Sequence, residues 1–379
     1  MVSETKIANV KGVIRSPQPV WDLFVRGFHW SLVASISIAA VTGFLLGPVW
    51  VPVHIAVASF AVLLVLLRII WGFAGGTYAR FSSFITGPLR LMRYARSVLS
   101  STEARYVGHN PLGGAMVVVL LALVLGAGFT GWAFLGAGAK LGPFAFFVPY
   151  ADSPWIAELH KTVAFGILGL VVLHVAGVFF TGKREGENLV VAMVTGEKAI
   201  GPQDISPPEH EARQTSALVA GLLVVGLLLM GIVAPMVLPV PGAPVSTIDP
   251  VARSECSDCH MFYHPSLLPA RDWQQIMAVL DDHYGEDASL DPDTTAAIRD
   301  WLMANAAETA DTRAASVFHL DPENGITRIT ETPFWKARHG GIRESAFKNP
   351  EVGSRSNCAA CHGDAERGWF NPFFAEVEG

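Results

Sequence analysis

The sequence is poor in charge and in cysteine. Charged residues make up only 16% of the 379 residues against 51% hydrophobic ones, and four residues are cysteine. No cluster of lysine and arginine is interleaved with aromatic residues, so no nucleic-acid partner is expected. The chain also lacks a nucleotide-binding glycine fingerprint, a flavin signature and a nucleophile elbow, which excludes those enzyme classes. The low charge instead points to a membrane.

Long apolar runs fill the chain before about residue 240. Crossing a hydrocarbon core takes roughly 20 helical residues, and five runs are that long. One such run alone could be a buried helix of a soluble protein, but five together indicate a membrane domain. The predicted spans are Gly27–Gly47, Pro52–Phe73, Leu112–Leu135, Trp155–Thr181 and Ser216–Leu238.

Lysine and arginine are unevenly distributed around these runs. They precede the first run, as Lys6, Lys11, Arg15 and Arg26, and they recur in the second and fourth connections. Short connections rich in these residues stay in the cytoplasm. We therefore expect a multi-pass protein of the bacterial inner membrane with a cytoplasmic N-terminus. After an odd number of crossings, the chain beyond about Pro239 is expected to be periplasmic.

Four histidines lie inside the predicted spans, where ionisable residues are rare and usually functional. His160 and His174 are fourteen residues apart on the fourth span. That is close to four helical turns, so they share a face about 21 Å apart along the axis. The predicted topology places His54 at the depth of His160 and His29 at the depth of His174. Facing imidazoles in a helical bundle are typical of bis-histidine haem ligation, so we expect two non-covalent haems b. Hydrogen-bonded structural histidines are the alternative.

The membrane half resembles a known family. The segment VWDLFVRGFHW from Val20, the segment GHNPLGG around His109 and the spacing of His160 and His174 are similar to the bacterial cytochrome b561 family, over roughly residues 15–200. The resemblance implies a four-helix core whose two haems b exchange electrons with quinone. In this comparison His109 is expected to be a turn residue and not a ligand.

All four cysteines fall in two C-x-x-C-H units, ECSDCHM from Glu255 and NCAACHG from Asn357. Such a unit supplies two thiols for thioether bonds to a haem and a histidine as an iron ligand. A zinc site of four thiolates and a disulfide scaffold are the alternatives. The histidine after each pair and the expected periplasmic location favour two covalent haems c. Their attachment residues are Cys256, Cys259 and His260, and Cys358, Cys361 and His362.

The sixth iron ligand of a haem c can be histidine or methionine. The candidates are His264, His283, His319, His339, Met261, Met277 and Met303. The region from ECSDCHMFYH through ITETPFWKARHGGI to NCAACHGDAERGWF closely resembles the dihaem cytochrome c family, over about residues 251–374. The resemblance implies bis-histidine ligation with His283 and His339 as the second ligands. It suggests the pairs His260 with His283 and His362 with His339; a crossed pairing is the alternative.

Together these features predict an all-α protein. A transmembrane four-helix di-haem b core with a fifth transmembrane helix is followed by a mostly helical, loop-rich periplasmic dihaem c domain. The expected domains are residues 1–200, residues 201–240 with the fifth helix, and residues 241–379 after a proline-rich linker. In the last domain, apolar spacing predicts helices near 272–285 and 292–308, the second capped by Asp293 or Thr294.

The expected function is electron transfer across the lipid bilayer. A chain of two haems b and two haems c would connect the quinone/quinol pool to a periplasmic cytochrome or other redox protein. The sequence fixes neither the direction of flow nor whether the chain acts as a quinol:cytochrome oxidoreductase. One alternative is a relay or docking subunit without quinone chemistry. Another is a superoxide-oxidising b cytochrome, with Lys161 beside His160 attracting the anion.

Overall fold

The structure is a computed structural model that describes residues 8–10, 13–371 and 375. Lys6 and Lys11, which contribute to the expected orientation, lie outside the described residues. Contacts divide the chain into two compact units. The first comprises Met1–Gly131 and Trp155–Met230, and the second comprises Trp132–Pro154 and Gly231–Gly379. The domain boundaries expected at residues 200 and 240 stay predictions.

Within the described residues the chain forms thirteen α-helices, three short strands and several single 3₁₀ turns. The helices are α1 Leu23–Phe44, α2 Val51–Ala74, α3 Pro88–Leu99, α4 Pro111–Ala139, α5 Ser153–Glu185, α6 Leu189–Thr195, α7 Gln214–Val237, α8 Pro250–Cys256, α9 Ala270–Met277, α10 Pro292–Ala304, α11 Arg313–Val317, α12 Pro333–His339 and α13 Glu344–Phe347. The strands are β1 Ala8–Val10, β2 Val13–Pro19 and β3 Glu197–Ile200.

Five helices in the described part of the chain are long and apolar enough to cross a membrane: α1, α2, α4, α5 and α7. Each overlaps one predicted span and begins or ends within a few residues of it, so the expected helical membrane bundle is confirmed. Asp22 sets the start of α1, because its carboxylate accepts the Val25 N–H at 2.7 Å. The other carboxylate oxygen accepts the indole N–H of Trp71 at 2.9 Å, which ties the start of α1 to the end of α2.

The first unit packs around a small apolar core. Buried side chains of α2 meet those of α4 and α5 there, namely Ala61, Val65, Leu121, Val124 and Ile167. Gly128 of α4 allows the closest approach, since a Cβ atom at this position would lie 2.1 Å from a methyl group of Val62. Small residues let membrane helices approach at backbone distance, where dispersion contacts hold them together.

A small antiparallel sheet, which the sequence reasoning did not predict, also belongs to the first unit. Its order is β1–β2–β3, with Ala8 opposite Arg15 and Ser16 opposite Ile200. A largely buried ion cluster lies beside it: the Arg105 guanidinium donates to the Ala199 carbonyl of β3 at 3.0 Å, and it pairs with carboxylates at the end of α5, just after α5 and after β3. These carboxylates belong to Glu185, Glu187 and Asp204.

Three helices of the second unit start with the same local device. Asp249, Asp291 and Thr332 each cap a helix through a side-chain oxygen, and each is followed by proline at the first helical position. Proline fits there because the first helical N–H has no intrahelical partner. The predicted cap of the helix at 292–308 was therefore wrong: Asp291 is the cap, and its carboxylate accepts the N–H groups of Asp293 and Thr294.

The second unit has its own apolar core beneath short helices and loops. Twelve buried residues form it: Ala252, Leu267, Leu268, Trp273, Met277, Ile298, Leu302, Ala306, Ala314, Phe318, Leu320 and Trp335. The fully buried carboxylate of Asp272 accepts the Leu320 N–H at 2.8 Å, so this charge is bound inside the core. The predicted helices are confirmed as α9 and α10, although α9 ends at Met277, before the DDHYG segment.

Candidate haem sites

His54 of α2 and His160 of α5 face each other within the first unit. Their ring centroids are 6.2 Å apart, with the ring planes nearly perpendicular at 84°. A glycine of a neighbouring helix lies against each ring. A Cβ atom on Gly43 would lie 3.1 Å from Cε1 of His54, and one on Gly131 would lie 3.1 Å from Cε1 of His160. Any larger residue at Gly43 or Gly131 would require the neighbouring imidazole to move by a few tenths of an ångström.

Matching hydrogen bonds fix the orientation of both rings. Nδ1 of His54 lies 3.0 Å from the Ala39 carbonyl and 3.2 Å from the Thr42 hydroxyl. Nδ1 of His160 lies 3.0 Å from the Ala127 carbonyl and 3.2 Å from the Thr130 hydroxyl. A carbonyl oxygen only accepts, so Nδ1 must carry the proton. The lone pair of each ring is therefore on Nε2, which is free to bind a metal.

His29 of α1 and His174 of α5 form the other predicted pair in this unit. They lie close enough to interact electrostatically. Nδ1 of His29 is buried and has no hydrogen-bond partner. The hydrogen bond that holds the Nδ1 proton of His54 and of His160 thus has no counterpart at His29.

The first C-x-x-C-H unit follows the end of α8. His260 faces His283, with ring centroids 6.2 Å apart and ring planes tilted by 35°. Nδ1 of His260 donates to the Met261 carbonyl at 2.7 Å, which leaves Nε2 with the lone pair. His283 follows a single 3₁₀ turn, where its backbone pairs with Glu286 in an isolated bridge.

The second C-x-x-C-H unit repeats this arrangement. His362 faces His339, the last residue of α12, with ring centroids 6.2 Å apart. Nδ1 of His339 donates to the Trp335 carbonyl at 2.9 Å, and the Trp335 ring stacks on the imidazole at 4.5 Å and 11°. Nδ1 of His362 is buried without a partner.

The two C-x-x-C-H segments also touch each other. The thioether of Met261, directly after the first unit, accepts the N–H of Ala359, between the two cysteines of the second, at 3.3 Å. The hydroxyl of Tyr263 donates to the Ser356 carbonyl at 2.6 Å. Met261 is thus occupied by a contact between the two segments, which removes it from the candidate iron ligands.

The remaining candidate ligands are engaged elsewhere. His264 is fully buried and uses both ring nitrogens, one with Ser266 and one with the Val245 carbonyl at 2.9 Å. Met277 and Met303 belong to the apolar core or pack against it, and His319 is exposed. The four cysteines form no disulfide, and no three metal-binding side chains converge within the described residues. The geometry therefore gives no support to the disulfide or four-thiolate zinc alternatives.

The spacing of the imidazole pairs fits an iron between them. A metal bonded at about 2 Å to one nitrogen of each of two facing imidazoles sets the ring centroids roughly 6 Å apart. Three pairs show that separation. Four of their six rings, those of His54, His160, His260 and His339, have an Nδ1 hydrogen bond of the kind that orients metal-binding histidines. The donor set thus fits haem iron.

Two family models match the chain. Residues 20–196 match prokaryotic cytochrome b561, and residues 252–370 match dihaem cytochrome c. The chain is a cytochrome b561 joined to a dihaem cytochrome c. It is therefore an integral membrane protein that binds haem and transfers electrons.

Relatives exist for each half of this b561–dihaem fusion. A probable Ni/Fe-hydrogenase B-type cytochrome subunit from Cupriavidus necator is 27% identical over 209 residues, 47% of this chain and 85% of the relative. One with the same description from Rhodobacter capsulatus is 26% identical over 212 residues, 47% of this chain and 80% of the relative. The crystallised dihaem cytochrome c from Rhodobacter sphaeroides is 44% identical, covering 33% of this chain and 98% of that one, with a TM-score of 0.28.

Two further residues of the cytochrome b561 half have defined surroundings. His109 precedes α4, as expected, and its ring lies 4.8 Å from the rings of both Trp21 and Phe84. Burial lowers the pKa of His109 to about 3, so its imidazole is neutral. The ammonium of Lys161 pairs with Glu158 at 2.6 Å. Both side chains of this pair are exposed, and superoxide oxidation at Lys161 stays a prediction.

The sequence reasoning missed the groups that orient the b-site histidines. Thr42 and Thr130 belong to two copies of the same short pattern, A-x-x-T-G, which are Ala39–Gly43 on α1 and Ala127–Gly131 on α4. A search for internal repeats would have found this signal. Each copy supplies a carbonyl, a hydroxyl and a glycine to a histidine of the helix that follows.

Proposed function

We propose that this chain carries electrons between the quinone pool and a periplasmic redox protein through four haems. The observation that carries the proposal is the set of three imidazole pairs at equal separation, two of which include the histidine of a C-x-x-C-H unit. Such pairs hold an iron between two nitrogen ligands, and haem iron ligated in this way performs one-electron transfer.

The proposed ligands follow the pairs. His54 with His160 and His29 with His174 would hold two haems b. Cys256, Cys259 and His260 with His283 would hold one haem c, and Cys358, Cys361 and His362 with His339 the other. The uncrossed pairing is supported because each C-x-x-C-H histidine faces the partner assigned to it.

The protein's own residues prepare these sites. Carbonyl and hydroxyl groups hold the proton of His54 and of His160 on Nδ1, so these two rings need no tautomer change to bind iron. Met261 and Tyr263 hold the two c attachment segments together, so electrons would pass between neighbouring centres. The excess of lysine and arginine in alternate connections supports a cytoplasmic N-terminus and a periplasmic c domain.

The first experiment is a pyridine haemochrome assay of the purified protein followed by anaerobic addition of a quinol analogue. We expect two haems b and two haems c per chain, with reduction of b before c. His54→Ala and His160→Ala should each remove about half of the haem b signal, and His319→Ala, which changes an exposed histidine, serves as the control. Full haem b content in both ligand variants would refute the assignment.

A docking subunit without quinone chemistry is the second candidate. It is favoured by the hydrogenase B-type cytochrome subunits among the relatives. In that case the chain would hold the same four haems, and a partner enzyme would deliver the electrons to them. The quinol assay separates the two functions, because a protein with four haems that no quinol reduces would be a relay.

A further inference from the structure

A buried lysine follows the C-terminal end of α4. Lys140 is only 3% exposed, and its backbone has a φ of 53°, in the left-handed region that residues other than glycine rarely adopt. Its ammonium pairs with the carboxylate of Asp311 and donates to the Val148 carbonyl at 3.2 Å. An unpaired buried ammonium would be strongly unfavourable, so Asp311 is what allows Lys140 to be buried.

Asp311 is held from three directions. Its second carboxylate oxygen accepts the Tyr150 N–H at 2.8 Å. Its own N–H donates to the Gly242 carbonyl at 2.8 Å. Lys140 and Tyr150 come from the segment between α4 and α5, Gly242 from the proline-rich linker, and Asp311 from the stretch before α11. One residue, through its carboxylate and its backbone N–H, therefore joins three segments that are far apart in the sequence.

Gly242 makes this contact possible. Its φ is +73°, and a Cβ atom there would lie 2.4 Å from Cβ of Asp311. Only glycine combines that backbone conformation with so close an approach. The linker is thus attached beside Asp311 and is not a free tether. We call the contact among Lys140, Asp311, Tyr150 and Gly242 the latch.

A general folding contact would not need a charged pair at this position, because an apolar pair of equal volume usually serves as well. A charged pair with several hydrogen bonds does specify one geometry. One geometry matters for electron transfer, since the rate falls steeply as the distance between donor and acceptor grows. In this step one electron would pass between a reduced haem and an oxidised one, in either direction, and no proton or bond would change.

We propose that Lys140 is a positioning residue for electron exchange between the haem b and haem c halves. Through Asp311, it fixes the dihaem cytochrome c half on the segment between α4 and α5. The inference rests on the proposed function only in requiring exchange between the two halves. Neither quinone chemistry nor the direction of flow enters it.

The test measures exchange between the halves of the full-length holoprotein. Lys140→Met and Asp311→Asn remove one charge each, and Lys140→Arg retains the positive charge. Lys348→Met, which changes an exposed lysine of the same unit, is the matched control. A photoreductant delivers one electron to haem b, and b-to-c equilibration is followed optically. Haem content, potentials of all haems and cleavage of residues 239–249 by proteinase K are measured in parallel.

We expect Lys140→Met and Asp311→Asn to keep their haems and potentials, to slow equilibration by at least about tenfold, and to expose the linker to cleavage. Lys140→Arg and Lys348→Met should equilibrate at the wild-type rate. Wild-type rates in both charge-removing variants would overturn the proposal. So would a slower rate explained entirely by shifted potentials. If Lys140→Met loses its haems, Asp311→Asn decides. Since the photoreductant bypasses quinol, failure of the quinol assay leaves this test intact.

Discussion

The two glycines beside His54 and His160 allow a quantitative test of the b site. A Cβ atom on Gly131 would lie 3.1 Å from the His160 ring, about 0.3 Å closer than the 3.4 Å at which ordinary contact begins. Gly43 has the same relation to His54. Valine would place two further methyl groups beyond that Cβ atom. The ring would have to leave the position in which its Nδ1 proton reaches the carbonyl of Ala127 or Ala39.

Overpacking of this kind costs about 1–3 kcal/mol, which corresponds to haem binding weakened roughly 5- to 150-fold. Replacing a helical glycine also gains up to about 1 kcal/mol of backbone entropy, which offsets part of the loss. Gly226→Val measures that gain alone, because no atom lies within 4 Å of a Cβ atom at Gly226 and its helix, α7, carries none of the proposed haem ligands.

The assay is haem b per chain by pyridine haemochrome after dilution, with low-spin signals counted by electron paramagnetic resonance. The haem b content of Gly43→Val and of Gly131→Val should each fall from two per chain toward one, while Gly226→Val keeps both. If both variants retain two haems b with unaltered signals, these glycines are not needed to make room for the two imidazoles and serve only helix packing.

Two predictions concern the second unit. His283→Ala and His339→Ala should each leave one haem c five-coordinate and high-spin in resonance Raman spectra, with His319→Ala unchanged; a spectrum that stays fully low-spin would contradict the assigned ligands. Burial lowers the pKa of His264 below 6.5 in the folded state, so the unfolded chain binds the proton more readily and stability falls as the pH drops below about 6.5. The loss should reach at most about 1.4 kcal/mol per pH unit, and His264→Asn should flatten the dependence of the denaturation midpoint between pH 7.5 and 5.5.

The sequence alone predicted those features for which a residue pattern allows few structural roles. Five apolar runs could only be membrane helices, and C-x-x-C-H marks its haem locally. The pairing of His54 with His160 was predictable because the direction of each helix sets the depth of its residues in a bilayer.

What the sequence could not provide depends on contacts between distant segments. The pairing of Lys140 with Asp311 spans 171 positions, and neither neighbouring sequence marks it. The hydrogen bonds that the His264 ring makes with Ser266 and with the Val245 carbonyl likewise form only in the folded chain. The sheet escaped notice because β1 and β3 are three and four residues long, below the length at which alternation becomes a signal.

The repeated A-x-x-T-G pattern gives the membrane half the character of a duplicated hairpin whose two copies have diverged at one end. Arg68 follows His54 by fourteen positions, as His174 follows His160, so an arginine occupies the place where a fully symmetrical bundle would have a fourth matched imidazole. It is buried and donates to the Ala79 carbonyl at 3.0 Å. The imidazole proposed to pair with His174 is therefore His29, which belongs to α1 and not to α2. The two proposed haem b sites therefore differ: matching groups surround His54 and His160, whereas His29 and His174 have no such matched surroundings, so we expect the two haems to differ in their chemical properties.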